Sequence, residues 1–239
     1  MTRGNQAGGE LRPTSPGAFI TVEGGEGVGK SHFVEAISRH FLERGREIVT
    51  TREPGGTPTA DKIREIFARP ASGDPLRMEA EALLVSAARA QHVAQLILPA
   101  LREGKFVLCD RFADSTRVYQ GKIGAIPRYD LERLIAFSTG GLEPDLTFLL
   151  DCDVDISLGR LAQRTSERQI EKGRSNLSEV GPAEVGRYDK AKRSFHERLR
   201  FAYHELAQEY PERIVVIDAS AKPETVAAKA IAVLLERFP

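Results

Sequence analysis

The chain has 239 residues, with 34 Lys plus Arg balanced by 34 Asp plus Glu. That length suits one α/β domain with its own hydrophobic core. The zero formal net charge excludes a global field that would draw the molecule to nucleic acid or an anionic membrane, so any anion site has to be local.

In chain order, Met1 to Gly17 is rich in Gly, Pro, Thr and Asn and has no apolar segment of the signal-peptide kind. It reads as a flexible tail, residues 1–17, ahead of a single domain over 18–239. Ala18 to Glu23 predicts a first strand, and a Gly-rich loop leads into a helix over Ser31 to Arg44. Glu47 to Arg52 predicts the second strand, followed by helical spacing over Thr59 to Phe67 and Glu79 to Glu103. Lys105 to Asp110 is the third strand, Arg128 to Ser138 a helix, and Leu146 to Asp151 the fourth strand. Asp155 to Arg164 is helical, whereas Thr165 to Gly186 is polar, charged and punctuated by Gly173, Gly181 and Pro182, which predicts a mobile loop. A helix over Arg187 to Tyr210, a strand over Arg213 to Asp218 and a helix over Lys222 to Phe238 complete the chain. Such alternation implies a five-stranded parallel sheet with helices on both faces. Cys109 and Cys152 fall in apolar strands without ligand spacing, so they read as buried thiols. No apolar run approaches the roughly twenty residues of a membrane crossing, and the expectation is a soluble, cytoplasmic protein with no membrane partner.

Four of the five strands finish in Glu23, Arg52, Asp110 or Asp151, and open α/β sheets bind ligands beyond the carboxyl ends of their strands. At the first such end, Gly24-Gly25-Glu26-Gly27-Val28-Gly29-Lys30-Ser31 fits G-x-x-x-x-G-K-[ST] between a strand and a helix. Glycines there let backbone N–H groups and the helix N-terminus wrap a polyphosphate. Lys30 is expected to reach the β- and γ-phosphates of ATP, and the Ser31 hydroxyl to ligate Mg²⁺. The fold class is therefore P-loop NTPase-type. At the third strand's end Asp110-Arg111-Phe112 puts a guanidinium beside the phosphates, where its planar fork suits a phosphate monoester.

The chain resembles bacterial thymidylate kinases along nearly its whole length after the tail. Five segments carry the resemblance. They are Phe19-Ile-Thr-Val-Glu-Gly with the P-loop, Thr51-Arg-Glu-Pro-Gly-Gly-Thr57, Ala87-Ala-Arg89 followed by Leu98-Pro-Ala-Leu101, Asp110-Arg111-Phe112 with Ser115-Thr116 and Tyr119-Gln120-Gly121, and Thr139-Gly-Gly-Leu-Glu-Pro-Asp-Leu146. The resemblance implies a homodimer, Mg²⁺ dependence and transfer of the γ-phosphoryl group of ATP to dTMP, giving dTDP and ADP. It implies that Arg89 contacts the acceptor's base and phosphate, that Arg111 grips the acceptor phosphate, that Thr116 bonds the thymine edge, and that Tyr119 crowds the sugar's 2′ position. Glu53, Pro54 and Gln120 would belong to the acceptor pocket, Glu26 to the acceptor sugar and the magnesium shell, and Asp110 with Ser31 to the metal.

The P-loop has no basic residue between Gly25 and Val28, so charge on the transferring group must be met elsewhere. Leu158-Gly-Arg-Leu-Ala-Gln-Arg164 resembles the start of the family's lid, here roughly 160–187, in members of that kind. Arg164 is the expected catalytic arginine, with Arg160 nearer the adenine and Arg187 at the lid's far end; Arg168 and Arg174 have less definite places. The five histidines are expected at the surface or in packing. Four residues before Arg89 the chain has Val85 where the family often has a Phe; stacking contributes about 0.5 to 1.5 kcal/mol beyond buried area, so selectivity for thymine is open. Two other readings remain. One is a kinase of another nucleotide or of a nucleoside with Glu23 as base, and the other is a P-loop protein that binds ATP without transfer.

Overall fold

The computed structural model describes residues 17–174, 188, 189 and 191–238, with the side chains of 168–174 outside that description. The expectations for the tail up to residue 16, Gly186, Arg187 and the side chains of Arg168 and Arg174 therefore lie outside the described residues. Strands β1 (Phe19–Glu23), β2 (Ile48–Arg52), β3 (Phe106–Asp110), β4 (Leu146–Asp151) and β5 (Ile214–Asp218) form one parallel sheet in the order β2-β3-β1-β4-β5. The central strand β1 is buried along its whole length, as a parallel strand covered on both faces must be.

Alternation along β1 sorts its side chains between two cores. Ile20 and Val22 pack with Phe33, Ile37 and Phe41 of α1 (Lys30–Glu43) and with Val226, Ala230 and Leu234 of α9 (Pro223–Arg237). Phe19 goes to the opposite face, where Val107 and Cys109 meet a long helical stretch and Leu131 and Ile135 of α6 (Arg128–Thr139). That stretch is α3 (Met78–His92), a π-helical segment over Val93–Ile97, and α4 (Leu98–Arg102). Because Glu23 shares the face of Phe19, its carboxylate emerges toward α8 (Arg193–Glu209) and the segment after β3.

Short α5 (Ala113–Thr116) and a π-helical run over Arg117–Ile123 follow β3 directly. Neither is among the elements expected from the sequence. α2 (Pro58–Ala68) is capped by Thr57, whose hydroxyl accepts from Ala60 N, with Pro58 at the first helical position.

One expectation fails. Thr165 to Arg174, the part of the expected loop that lies within the described residues, is helical, because α7 runs from Val154 to Arg174. The polar composition there is that of a solvated helix rather than a break: Glu, Arg, Gln and Lys are good helix formers. Gln163 donates to Glu167 one turn on, and Thr165 folds its hydroxyl back onto Leu161 O. The next helix starts at Arg193 rather than Arg187, with Tyr188 and Asp189 in a turn.

Candidate active site

The P-loop presses so closely against its neighbours that two of its glycines are required. Gly24 has φ +136°, and a Cβ there would lie 2.5 Å from Leu150 O; at Gly27 (φ +77°) it would lie 2.2 Å from Ser157 O. The loop thus wraps over the start of α1, whose free N–H groups and dipole favour an anion. Lys30 Nζ donates to Gly24 O (3.0 Å) and Gly25 O (2.7 Å). Burial, and then the Arg111 cation, push its ammonium down to about 8, while Asp110, Glu26 and Glu23 pull the other way. A polyphosphate would replace the two carbonyls with full negative charge.

Arg111 stands at the centre. It occupies the left-handed region at φ +70°, which costs a non-glycine residue energy and turns the chain sharply after β3. Its guanidinium donates to Ser115 Oγ (3.1 Å), Tyr203 Oη (3.2 Å) and Glu26 Oε1 (3.3 Å) and lies 5.2 Å from the Tyr119 ring centroid. Burial opposes its charge, but Tyr119, Tyr203, Glu26 and Asp110 more than offset that, so it is held cationic. Glu23 fixes the turn: its carboxylate accepts from Phe112 N, Ser115 N, Ser115 Oγ and Tyr203 Oη, between 2.6 and 3.1 Å. With both oxygens engaged and its carboxyl raised by burial and Asp114, Glu23 serves as a brace.

Beyond Arg111 lies a second pocket. Arg89 is fully enclosed; Nε donates to Glu53 Oε2 (2.8 Å) and Nη2 to Phe112 O (3.1 Å) and Thr116 Oγ1 (2.9 Å). Tyr119 Oη donates to Glu26 Oε1, while Gln120 Nε2 donates to the buried carboxylate of Glu81 (3.2 Å), which also accepts from Tyr188 Oη. Val85 and Pro54 line the same space.

On the other side, Arg160 donates to Ala219 O (3.0 Å) and Val28 O (3.4 Å), tying α7 to the P-loop. Arg164 is ion-paired with Asp189 at 2.6 Å. One cleft of about 930 Å³ is lined by Glu26 through Ser31, Glu53, Pro54, Arg89, Asp110, Arg111, Thr116, Tyr119, Gln120, Arg160 and Arg164. Gly24 and Gly25 fall behind it, against a much smaller cavity.

A polyphosphate loop at one end of a cleft, a basic corner at its middle and a pocket with a buried arginine at the other define a P-loop phosphotransferase with two substrate half-sites. A family model described as thymidylate kinase matches residues 22–230. The chain is 44% identical to the thymidylate kinase of Geobacter sulfurreducens over 223 residues, covering 93% of this chain and 99% of that one. Against that of Chromohalobacter salexigens it is 43% identical, covering 94% and 98%, and against that of Trichlorobacter lovleyi 42%, covering 92% and 98%. The chain belongs to the thymidylate kinase family.

Several residues of the site escape a reading of the sequence. Glu81, Tyr188 and Tyr203 are joined to it by bonds that span long stretches of chain. Two histidines expected at the surface or in packing are buried among polar partners. His196 Nδ1 lies 3.7 Å from Glu26 Oε2, and His92 bonds Glu53 and Thr51. His32 is exposed, and His40 and His204 are half-buried beside Arg44 and Asp151.

Proposed function

We propose that this chain transfers the γ-phosphoryl group of ATP to dTMP, giving dTDP and ADP. The observation that carries the reading is the position of Arg111, between the P-loop and the Arg89 pocket of one continuous cleft. Transfer between two anions needs charge neutralisation and in-line alignment more than a base, since the acceptor phosphate oxygen is already ionised near neutral pH. The residues supply that. Backbone amides of the P-loop and Lys30 hold the β- and γ-phosphates, Arg111 holds the acceptor phosphate, and Arg164 meets charge on the transferring group once it exchanges Asp189 for phosphate. Arg160 contributes at the adenine end, beside the Val28 and Ala219 carbonyls it already bonds. Glu53, Pro54, Arg89, Thr116, Tyr119 and Gln120 form the dTMP pocket. Because Arg89 donates to Thr116 Oγ1, the Thr116 hydroxyl is left to donate to the base.

The same reading includes Mg²⁺. Asp110 Oδ1 is buried without a hydrogen-bond partner among the described residues, and with the Ser31 hydroxyl it forms a hard oxygen set that fits the ion. Among the described residues no group of three or more His, Cys, Asp or Glu forms a metal cage, which fits an ion carried in with the nucleotide. When bound, it would neutralise charge across the β- and γ-phosphates. The reading also includes a homodimer and a cytoplasmic location. Leu83 on α3 and Phe137 on α6, helices packed on each other, expose large apolar side chains, and no described helix is long and apolar enough to cross a membrane.

A panel assay tests the reading: purified protein, ATP and Mg²⁺ with dTMP, dUMP, CMP or thymidine. Product dTDP should dominate. Preferential phosphorylation of thymidine, or ATP hydrolysis indifferent to dTMP, would overturn it.

A further inference from the structure

His92 lies three residues past Arg89 on α3, with no exposed surface. Its Nδ1 is 3.1 Å from Glu53 Oε1, and its Nε2 is 2.7 Å from Thr51 Oγ1. The Glu53 carboxylate is thus divided, one oxygen to His92 and the other to Arg89 Nε at 2.8 Å. An ionised carboxylate only accepts, so Nδ1 carries a proton for Glu53, while Nε2 pairs with the Thr51 hydroxyl. Gly56 closes over this pair with φ +88°; a Cβ there would fall 2.5 Å from His92 Nε2 and 2.6 Å from Thr51 Oγ1.

The far end of the chain is the arginine that lines the cleft. Arg89 Nε and Nη2 are committed to protein partners, while Nη1 is buried with none among the described residues. A buried guanidinium nitrogen left unpaired is costly, which marks Nη1 as the donor held for an incoming molecule.

We propose that His92 is a positioning residue for acceptor binding. It fixes Glu53, and Glu53 fixes the angle at which Arg89 Nη1 meets the monophosphate. The inference rests on the reading of Arg89 as a dTMP contact and assigns a role to the residue behind it. With both ring nitrogens bonded and Gly56 closed over the ring, the imidazole has one orientation, and the Glu53 oxygen it holds is fixed with it.

The test separates the two nitrogens. Asn at position 92 carries an amide near the place of Nδ1 and can keep the Glu53 bond; Gln carries its amide near the place of Nε2 and keeps only Thr51. Steady-state kinetics on His92→Asn, His92→Gln, Arg89→Lys and the double variant His92→Gln/Arg89→Lys give KM for dTMP and for ATP separately. His92→Gln should raise KM for dTMP by about tenfold, the size of one lost hydrogen bond to a charged group. KM for ATP should stay unchanged, and His92→Asn should recover most of the loss. The double variant should be no worse than Arg89→Lys alone, because residues acting through one another are not additive. Equal KM for dTMP in the Asn and Gln variants, or full additivity in the double variant, would overturn the role of His92. Should Arg89→Lys itself leave KM for dTMP unchanged, the reading of Arg89 falls instead, independently of how the His92 variants behave.

Discussion

Arg111 illustrates how one side chain is shaped by residues remote in sequence. Glu23, Ser115, Tyr203 and Glu26 come from β1, α5, α8 and the P-loop, and together they hold a strained, half-buried cation in place. Replacing it with alanine should lower kcat/KM for dTMP by roughly 10³-fold, as for other arginines that neutralise a phosphoryl transition state. Initial rates at saturating ATP measure this, and full activity in the variant would remove Arg111 from the site. Lys30 gives a pH prediction. Its ammonium is pushed down to about 8 chiefly by burial, and a bound polyphosphate would restore the charged form. Binding then takes up a proton above that pH, so ATP affinity is greatest below about 8 and weakens as pH rises through it, by at most about tenfold per unit. Calorimetric titration of the nucleotide across that range should show the slope, and a flat profile would contradict it.

At the scale of elements, the segment after β3 carries Thr116, Tyr119 and Gln120 and depends on charges beneath it. Asp114, almost wholly buried, accepts from Arg117 (3.0 Å) and twice from Arg213 (2.6 and 3.0 Å). Burial disfavours its ionisation, but Arg213 and Arg117 together hold the carboxyl below its ordinary value. A depressed carboxylate contributes stability above its unfolded value and loses it as pH falls through the folded one. Asp114→Asn should therefore cost about 3 kcal/mol near neutral pH, by leaving two arginines underpaired. The gap to wild type should close below roughly pH 4. Urea unfolding at the two pH values checks both statements.

This segment was not legible in the sequence. Ala113 to Ile123 is too short for helical periodicity to register, and its hydrogen-bonding pattern changes midway. The five strands, by contrast, were legible to within a residue: β1, β3 and β4 are buried apolar runs, as parallel strands covered on both faces must be, and the edge strands β2 and β5 show as short β-branched runs. The P-loop was legible because its chemistry needs a fixed local spacing. Helix α7 past Arg164 was misread because polarity alone does not separate a solvated helix from a loop. Glu53, Arg89 and Thr116 could be named from motif resemblance, but His92 and Glu81 could not: their partners lie 39 positions away in the chain, at Glu53 and Gln120, and only the fold brings them together.

For the whole molecule, the sheet order sets the geometry of function. β1 lies between β3 and β4, so the P-loop emerges between the Asp110-Arg111 corner and the root of α7. The P-loop and the Arg89 pocket thus share one rim. The exposed Phe137 and Leu83 do not line the cleft. If they form the homodimer face, Phe137→Glu should shift sedimentation from dimer to monomer, and a monomeric wild type would refute the dimer. The central claim is that two phosphorylated molecules meet head to head across Arg111. A crystal structure with dTMP and a non-hydrolysable ATP analogue tests it most directly. The acceptor phosphate should lie within about 3.2 Å of the Arg111 guanidinium, facing the γ-phosphate analogue over the P-loop. A monophosphate bound away from the Asp110-Arg111 corner would contradict the account.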